Sequence, residues 1–324
     1  MTNQKTAAAP RAQGRRSRRG APPGGSLWAR IRRDRQLLLL LAPGMLFYLV
    51  FRYGPMYGLV IAFKKYNPFQ GVLKSPWVGF ENFQNFFATG DFWMLFRNTL
   101  LLGLFNLLWS FPITILFALL LNEVRHHRFK KAVQTVSYLP TFLSVVIVCS
   151  ITIDFLSPNG GLLNQILGLF GFDAVYFMTD PHAFRTIYIA SGIWSGMGSG
   201  AIIYLAALAG VDPGLYEAAR LDGCGRLRMM WSITLPSIMP TIVTMLLLNV
   251  SNVIKVGADK ILLLYNPMTY EVADVFQTYV YRRAFVLHDY GFAAAVGIFE
   301  SVVACLLLYA SNRVSRAVTG ESLW

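Results

Sequence analysis

Two stretches of this sequence hold the residues whose types and spacing suit specific chemistry. The first is EAARLDGCGRLRMMWSITLPSIMP, residues 217–240. Just ahead of it, Asp212 followed by Pro213 marks a helix start, because the carboxylate can accept from free backbone N–H groups and proline at the first helical position loses nothing. Gly223 marks the stop. Glycine enters the left-handed region without strain, so a helix of about nine or ten residues, Pro213 to Asp222, is predicted to end in a turn. Ala218 and Ala219 keep one face shallow enough for another protein's walls to approach the backbone, while Glu217, Arg220 and Asp222 offer charged contacts at its edge. The Glu-Ala-Ala triplet alone reads better as a solvated amphipathic loop, and the glycine and Ile233-Thr234-Leu235-Pro236 that follow it turn the reading to docking. The second stretch is Asn249, Ser251, Asn252 and Lys255. Asn249 and Asn252 are three apart and share a helix face. Amides, a hydroxyl and an ammonium inside an apolar run belong in a wet cavity, since polar groups facing lipid are costly. A hydroxyl-rich solute could use them, and interhelical hydrogen bonding could use them equally well.

The elements that must position these groups are membrane spans. The 324 residues are 55% hydrophobic with a mean hydropathy of +0.48, more apolar surface than a soluble domain can hide. A span needs about 20 apolar residues, and six such runs are read: 36–62, 95–121, 132–153, 186–208, 237–256 and 291–312. Arg52 and Pro55 interrupt the first, so its outer end is expected to fray. The run 186–208 carries Gly192, Gly196 and Gly200 at four-residue spacing, read as a seam for close helix packing. Trp194, Ser195 and Tyr204 lie off that seam and are candidates to line a path. Glu300 is an intramembrane carboxylate, a functional candidate that a neighbour could also neutralise for structure alone.

Lysine and arginine set the orientation. The first 35 residues hold ten, 122–131 four, 209–236 three and the tail after Asn312 two. Positive residues favour the cytoplasm, so both termini and the 209–236 loop are expected inside, and the formal net charge of +13 reflects topology. Residues 1–35 read as a basic cytoplasmic tail. Its first 26 residues are expected to be disordered, and Leu27, Trp28 and Ile31 suggest a short interfacial helix beside lipid. RRSRRG at 15–20 fits anionic lipid more economically than nucleic acid, and no small-residue cleavage site follows Leu37–Leu41, so the segment is expected to be retained.

Other chemistries find no residues to carry them. Cys149 and Cys305 fall in spans and Cys224 inside, so no disulfide is expected. The histidines 126, 127, 182 and 288 lack zinc-ligand spacing, and no G-x-x-x-x-G-K-[ST] loop exists to cradle ATP phosphates. A membrane-embedded enzyme would need convergent nucleophiles or metal ligands. A secondary transporter or channel for a small polar solute could share six spans but would rather show internal repeats or several buried charges.

The order Glu217-Ala218-Ala219, Gly223, then Ile233-Thr234-Leu235-Pro236 resembles the EAA loop of permease subunits of binding-protein-dependent ABC importers, with Cys224 where alanine is commoner. YGPMYGLVIAFKKYNPF at 53–69, VGFENFQNFF at 78–87, RNTLLLG at 97–103, SYLPTFLS at 137–144 and LLLYNP at 262–267 extend the likeness over almost the whole chain after residue 36, and resemble the branch that imports oligosaccharides and polysaccharide fragments, alginate among them. The resemblance implies an all-α integral membrane protein of six transmembrane helices in the type I ABC importer permease fold, residues 36–324, with no cofactor of its own. It further implies a second homologous permease subunit, two copies of an ABC ATPase that hold ATP and Mg, and a periplasmic or extracellular sugar-binding protein, all at the inner membrane. The loop would dock in a cleft of the ATPase through Glu217, Ala218, Ala219, Arg220, Asp222 and Gly223.

No residue here reads an acidic sugar by itself. Lys255, nineteen residues past Pro236, is expected about 28 Å along a helix, near the outer mouth. There it could attract an anionic sugar or snorkel to the interface. The outer segments and their flanks balance ten Lys/Arg against nine Asp/Glu, so no strong positive funnel is expected.

Overall fold

The computed structural model describes residues 34–319, whose regular elements are helices; the sole β feature among them is an isolated antiparallel bridge between Lys64 and Trp77. Numbering the principal helices along the chain gives α1 (Arg35–Tyr48), α2 (Glu81–Ala88), α3 (Asp91–Glu123), α4 (His127–Tyr138), α5 (Val145–Leu156), α6 (Pro181–Ala209), α7 (Pro213–Leu221), α8 (Met239–Ser251), α9 (Ala258–Leu264) and α10 (Tyr290–Thr319). The chain divides into two compact units, Met1–Tyr57 and Gly58–Trp324. In the first, α1 gives way to a π segment at Leu49–Tyr53, followed by a 3₁₀ stretch from Gly54. This is the form taken by the interruption expected at Arg52 and Pro55. The expected interfacial helix around Trp28 lies outside the described residues.

Among the described residues, four helical segments are long and apolar enough to cross a membrane: Arg35–Phe63, Asp91–Glu123, Pro181–Ala209 and Tyr290–Arg313. Two more candidates are bent pairs, His127–Phe142 with Val145–Leu156 at 106° and Arg226–Ser237 with Met239–Val250 at 64°. Both breaks have a proline cause. Pro140 sits in the Leu139–Phe142 turn, after which Ser144 restarts the chain by accepting from the Ile147 N–H at 3.3 Å. Pro240 enters the first turn of α8 with no N–H for the Pro236 carbonyl, and Ile238, 1% exposed, fills the elbow. The expected straight span 237–256 is therefore corrected at both ends: it starts at an elbow, and the helix stops at Ser251.

Within the second unit, α3 packs along α6 and α8 along α10. One apolar cluster joins Leu102 of α3, Cys149 of α5 and Phe184 and Tyr188 of α6 to Val256 and Ile261. Another joins Ala118 and Leu119 of α3, Ala201, Tyr204 and Leu208 of α6, and Ile238 and Ile242. The numbering rises from the first cluster to the second along both α3 and α6, so these helices run in the same direction, with α8 opposed. The closest approaches to backbone are made by glycines other than those expected. A Cβ on Gly103 would lie 1.8 Å from the Val253 carbonyl oxygen, and one on Gly198 2.1 Å from that of Ser137. Gly196, by contrast, faces open space. The expected Gly192–Gly196–Gly200 seam is thus corrected in part: a Cβ on Gly200 would lie 3.0 Å from Thr114 of α3, a close helix approach, whereas Gly196 leaves a hollow open.

The return from α8 to α10 is stapled across the first cluster's end. Asn98, fully buried, donates to the carbonyls of Glu271 (2.8 Å) and Asp274 (3.1 Å) and accepts from Arg185 (3.2 Å). Asp274, 2% exposed, pairs with Arg282 and accepts from Thr278 at 2.6 Å. A buried carboxylate left without those partners would be costly, so the pair fixes the segment's fold.

Candidate functional site: a polar cleft and a projecting helix

Between the two apolar clusters, α3, α6 and α8 enclose a cleft of about 410 Å³. Its α3 wall is Asn106, Ser110 and Thr114, four apart and therefore on one face. Ser110 donates to Asn106 Oδ1 at 2.9 Å, and Thr114 to the Ser110 carbonyl at 2.7 Å. Its α6 wall runs from Tyr188 through Gly192, Ser195, Gly196 and Gly200 to Tyr204, sixteen residues or about 24 Å of helix. The missing side chains at 192, 196 and 200 make the depth. The volume falls in the range of small-molecule sites, ~300–1,000 Å³.

Asn249 of α8 faces this cleft and also a smaller hollow of about 90 Å³ that shares Asn106 and Tyr188 and adds Asn252 and Lys255. Asn249 and Asn252 spend their amide N–H groups on the carbonyls of Met245 (2.8 Å) and Leu248 (3.2 Å) one turn back, leaving each Oδ1 as an acceptor for hydroxyl donors. Ser251 ends the helix. Of the residues nominated from sequence, Asn249, Ser195 and Tyr204 meet in the larger cleft, and Asn252 and Lys255 in the smaller. Trp194 points elsewhere, lining a separate, almost wholly apolar hollow between α5 and α6 with Phe155 and Phe177. Glu300 is 8% exposed and accepts from Gln277 at 2.9 Å.

Two participants escape the sequence reading. The i, i+4, i+8 polar file of α3 was a legible signal inside an apolar run. Lys260 was not, because it lies beyond the last residue of the expected span. Its Nζ donates to the Tyr188 carbonyl at 2.6 Å and sits 4.5 Å above the Tyr188 ring. Burial pushes its ammonium down to about 8.

At the other end of the molecule's second unit, α7 is a nine-residue helix, one residue shorter than the longer expectation. Asp212 Oδ1 accepts from the Gly214 N–H at 2.9 Å. Gly223 has φ +75°, with its N–H bonded to the Arg220 carbonyl (3.1 Å) and that of Cys224 to the Ala219 carbonyl (2.9 Å). That pair of bonds is the Schellman ending, which consumes carbonyls otherwise left unpaired. Glu217, Ala218, Arg220, Asp222 and Gly223 are exposed and Ala219 half-buried. Tyr216 ties the helix back, its hydroxyl donating to Thr234 Oγ1 at 3.0 Å, and Thr234 is 1% exposed beside the Pro240 elbow. The bond joins α7 to the segment that leads into the Pro240 elbow.

Residues 93–317 match the family described as binding-protein-dependent transport system inner membrane component. The chain is 43% identical to the polygalacturonan/rhamnogalacturonan transport system permease protein YteP of Bacillus subtilis (strain 168), over 90% of this chain and 91% of that one. Among solved structures it resembles a chain of a bacterial ABC transporter involved in the import of the acidic polysaccharide alginate, at TM-score 0.84 and 44% identity, covering 90% of this chain and 99% of that one. A second structure of the bacterial alginate ABC transporter, in complex with alginate pentasaccharide-bound periplasmic protein, gives TM-score 0.84 and 43% identity over 92% of this chain and 99% of that one. An independent channel or secondary transporter is set aside by these likenesses. With an all-helical fold, several apolar helices of spanning length and a projecting α7, the chain belongs to the family of inner membrane components of binding-protein-dependent transport systems.

Proposed function

We propose that this chain forms one half of the translocation pathway of an ATP-driven importer of acidic oligosaccharides, a multi-pass subunit of the inner membrane. The observation that carries the reading is α7: a short helix with both ends capped and a shallow alanine face exposed, tied by Tyr216 to the elbow below the polar cleft. A helix held out in this way fits insertion into a partner. Two ATPase copies would hold ATP and Mg, one of them gripping α7 at Glu217–Gly223, and a second, homologous permease would complete the pathway. A sugar-binding protein would deliver substrate on the far side. The six spans, counting each bent pair as one, and the cytoplasmic placement of both termini are part of the same reading, supported by the lysine and arginine distribution. Transport would be alternating access: ATP-driven closure of the ATPases draws the docked helices together, and the spans move as rigid bodies to turn the cleft outward. Acidic sugar as cargo is supported by the substrates named for the related alginate and polygalacturonan systems and by the cleft's polar files.

The test is co-purification of the tagged chain with its ATPase, followed by oligosaccharide-stimulated ATP hydrolysis and uptake in proteoliposomes. Ala218→Trp fills the shallow face and Gly223→Pro destroys the Schellman bonds, so each is expected to lose ATPase capture and reduce uptake at least about a hundredfold. Full capture and uptake by both variants would refute the docking role.

A further inference from the structure

We propose that Lys260, and not Lys255, is the residue on this chain that selects carboxylate-bearing over neutral oligosaccharides, a reading that rests on acidic-sugar import as the function. Both lysines follow the end of α8 and both line polar hollows that share Asn106, Tyr188 and Asn249. Their surroundings differ in the respect that decides selectivity. Lys255 is exposed, so solvent screens its charge, and it acts on the buried Glu300 without an ion pair between them. Lys260 has no carboxylate partner within ion-pair distance among the described residues. Its one hydrogen bond runs to the Tyr188 carbonyl, and an ammonium has three N–H donors. Two remain for a ligand.

Position supports the same assignment. The Lys260 Nζ lies where a Cβ on Gly192 would come within 3.1 Å of it, and the same Cβ would be 4.0 Å from Asn106 Oδ1. The ammonium and the first member of the α3 polar file therefore meet over one glycine, at the Tyr188 end of the cleft and across from Asn249. The Tyr188 ring beneath the ammonium holds it in place by a cation–π contact. A sugar carboxylate entering here meets a desolvated, pre-oriented donor, while its hydroxyl groups meet Asn106, Ser110 and Asn249. A charge-assisted hydrogen bond in such a setting contributes more than one between neutral groups. A neutral sugar gains none of it and leaves the ammonium unpaired, so discrimination comes from both directions.

The experiment uses the complete transporter in proteoliposomes, with a saturated uronate trisaccharide and its carboxyl-reduced, neutral counterpart as cargo at matched binding-protein saturation. Lys260→Gln is expected to lower the acidic-to-neutral uptake ratio about tenfold, Lys260→Arg to retain it, and Lys255→Gln to slow both sugars alike. An unchanged ratio in Lys260→Gln, or a charge-selective loss in Lys255→Gln, overturns the assignment. If Lys260→Gln fails to assemble with its partners, the ratio in Lys260→Arg and in Tyr188→Leu, which removes the ring that holds the ammonium, decides: a preserved ratio in Tyr188→Leu overturns it and a reduced one supports it. Wild-type transporter that moves neither trisaccharide refutes acidic-sugar import itself, whereas wild type that favours the acidic cargo while Lys260→Gln does too refutes only the role of Lys260.

Discussion

Lys260 shows how far single residues can be placed from sequence and where that stops. Asn249 was legible as a cleft residue because a polar side chain in an apolar helix has few satisfactory places to point. Lys255 stood out for the same reason, yet its nineteen-residue rise along a helix fails because the helix ends at Ser251. Lys260 was invisible, since its burial depends on α9 folding back against α5 and α6, a contact between residues more than a hundred apart in sequence. The depressed proton affinity of Lys260 makes its charge testable. The groups that face it are Tyr188 of α6, Cys149 of α5 and Lys255 along the shared hollows, while the tyrosines of the Phe276–Tyr281 helix turn away, Tyr279 to Phe292 and Tyr281 to Phe285. Burial disfavours the charged form, so the ammonium is present below about 8 and lost as pH rises through that value. Uptake of an acidic oligosaccharide relative to its neutral counterpart should therefore fall between about pH 7 and pH 9, and Lys260→Arg should abolish the fall, because arginine stays charged. An equal ratio across that range in the wild-type transporter would contradict the charge assignment.

At the scale of elements, what was legible is what is local. The Asp212–Pro213 start and the Gly223 stop of α7 depend on a few neighbouring residues, and the helix is bounded where those signals place it. The strings that carry the family resemblance fare similarly once folded: Asn82 of FENF donates to the Ala62 carbonyl at 2.8 Å, and Asn98 and Thr99 of RNTLLLG bind the backbone of the α8–α10 return. Helix packing was misread at Gly196, though not at Gly200, because four-residue glycine spacing fits two opposite uses, a tight seam or an emptied wall. Only the neighbouring helix decides between them. Substitution separates the two uses. Gly198→Ala drives a methyl into the Ser137 carbonyl region, a clash with backbone that cannot be relieved by rotating a side chain. It should cost about 2–3 kcal/mol, seen as a lower thermal midpoint and poor recovery from detergent. Gly196→Ala meets nothing within 4 Å and should leave the midpoint unchanged while narrowing the cleft, slowing uptake of longer oligosaccharides more than shorter ones. A midpoint lowered equally by both would restore the seam reading.

For the whole molecule, the decisive property is orientation, which neither helix packing nor the polar cleft determines, since both are indifferent to which end faces the cytoplasm. Charge is not. The basic residues of 122–131 and 209–236 lie on one side of the expected topology together with α7, and moving them across a bilayer during insertion is unfavourable. The chain carries its own reporter of the outcome. Its free cysteines are Cys149, buried on α5, Cys305, exposed on the apolar α10, and Cys224, half-buried in the turn after α7. Of these, Cys224 alone sits in a connecting turn outside the candidate spans, where a charged, membrane-impermeant thiol reagent in water can reach it. In sealed right-side-out vesicles the reagent should therefore leave the chain unmodified. After the vesicles are opened, Cys224 should react, more slowly when the ATPase is docked over α7, and Cys224→Ser should remove that reaction. Modification of Cys224 in sealed vesicles would put α7 on the outer face, beyond the reach of any cytoplasmic ATPase, and would overturn the coupling mechanism along with the topology.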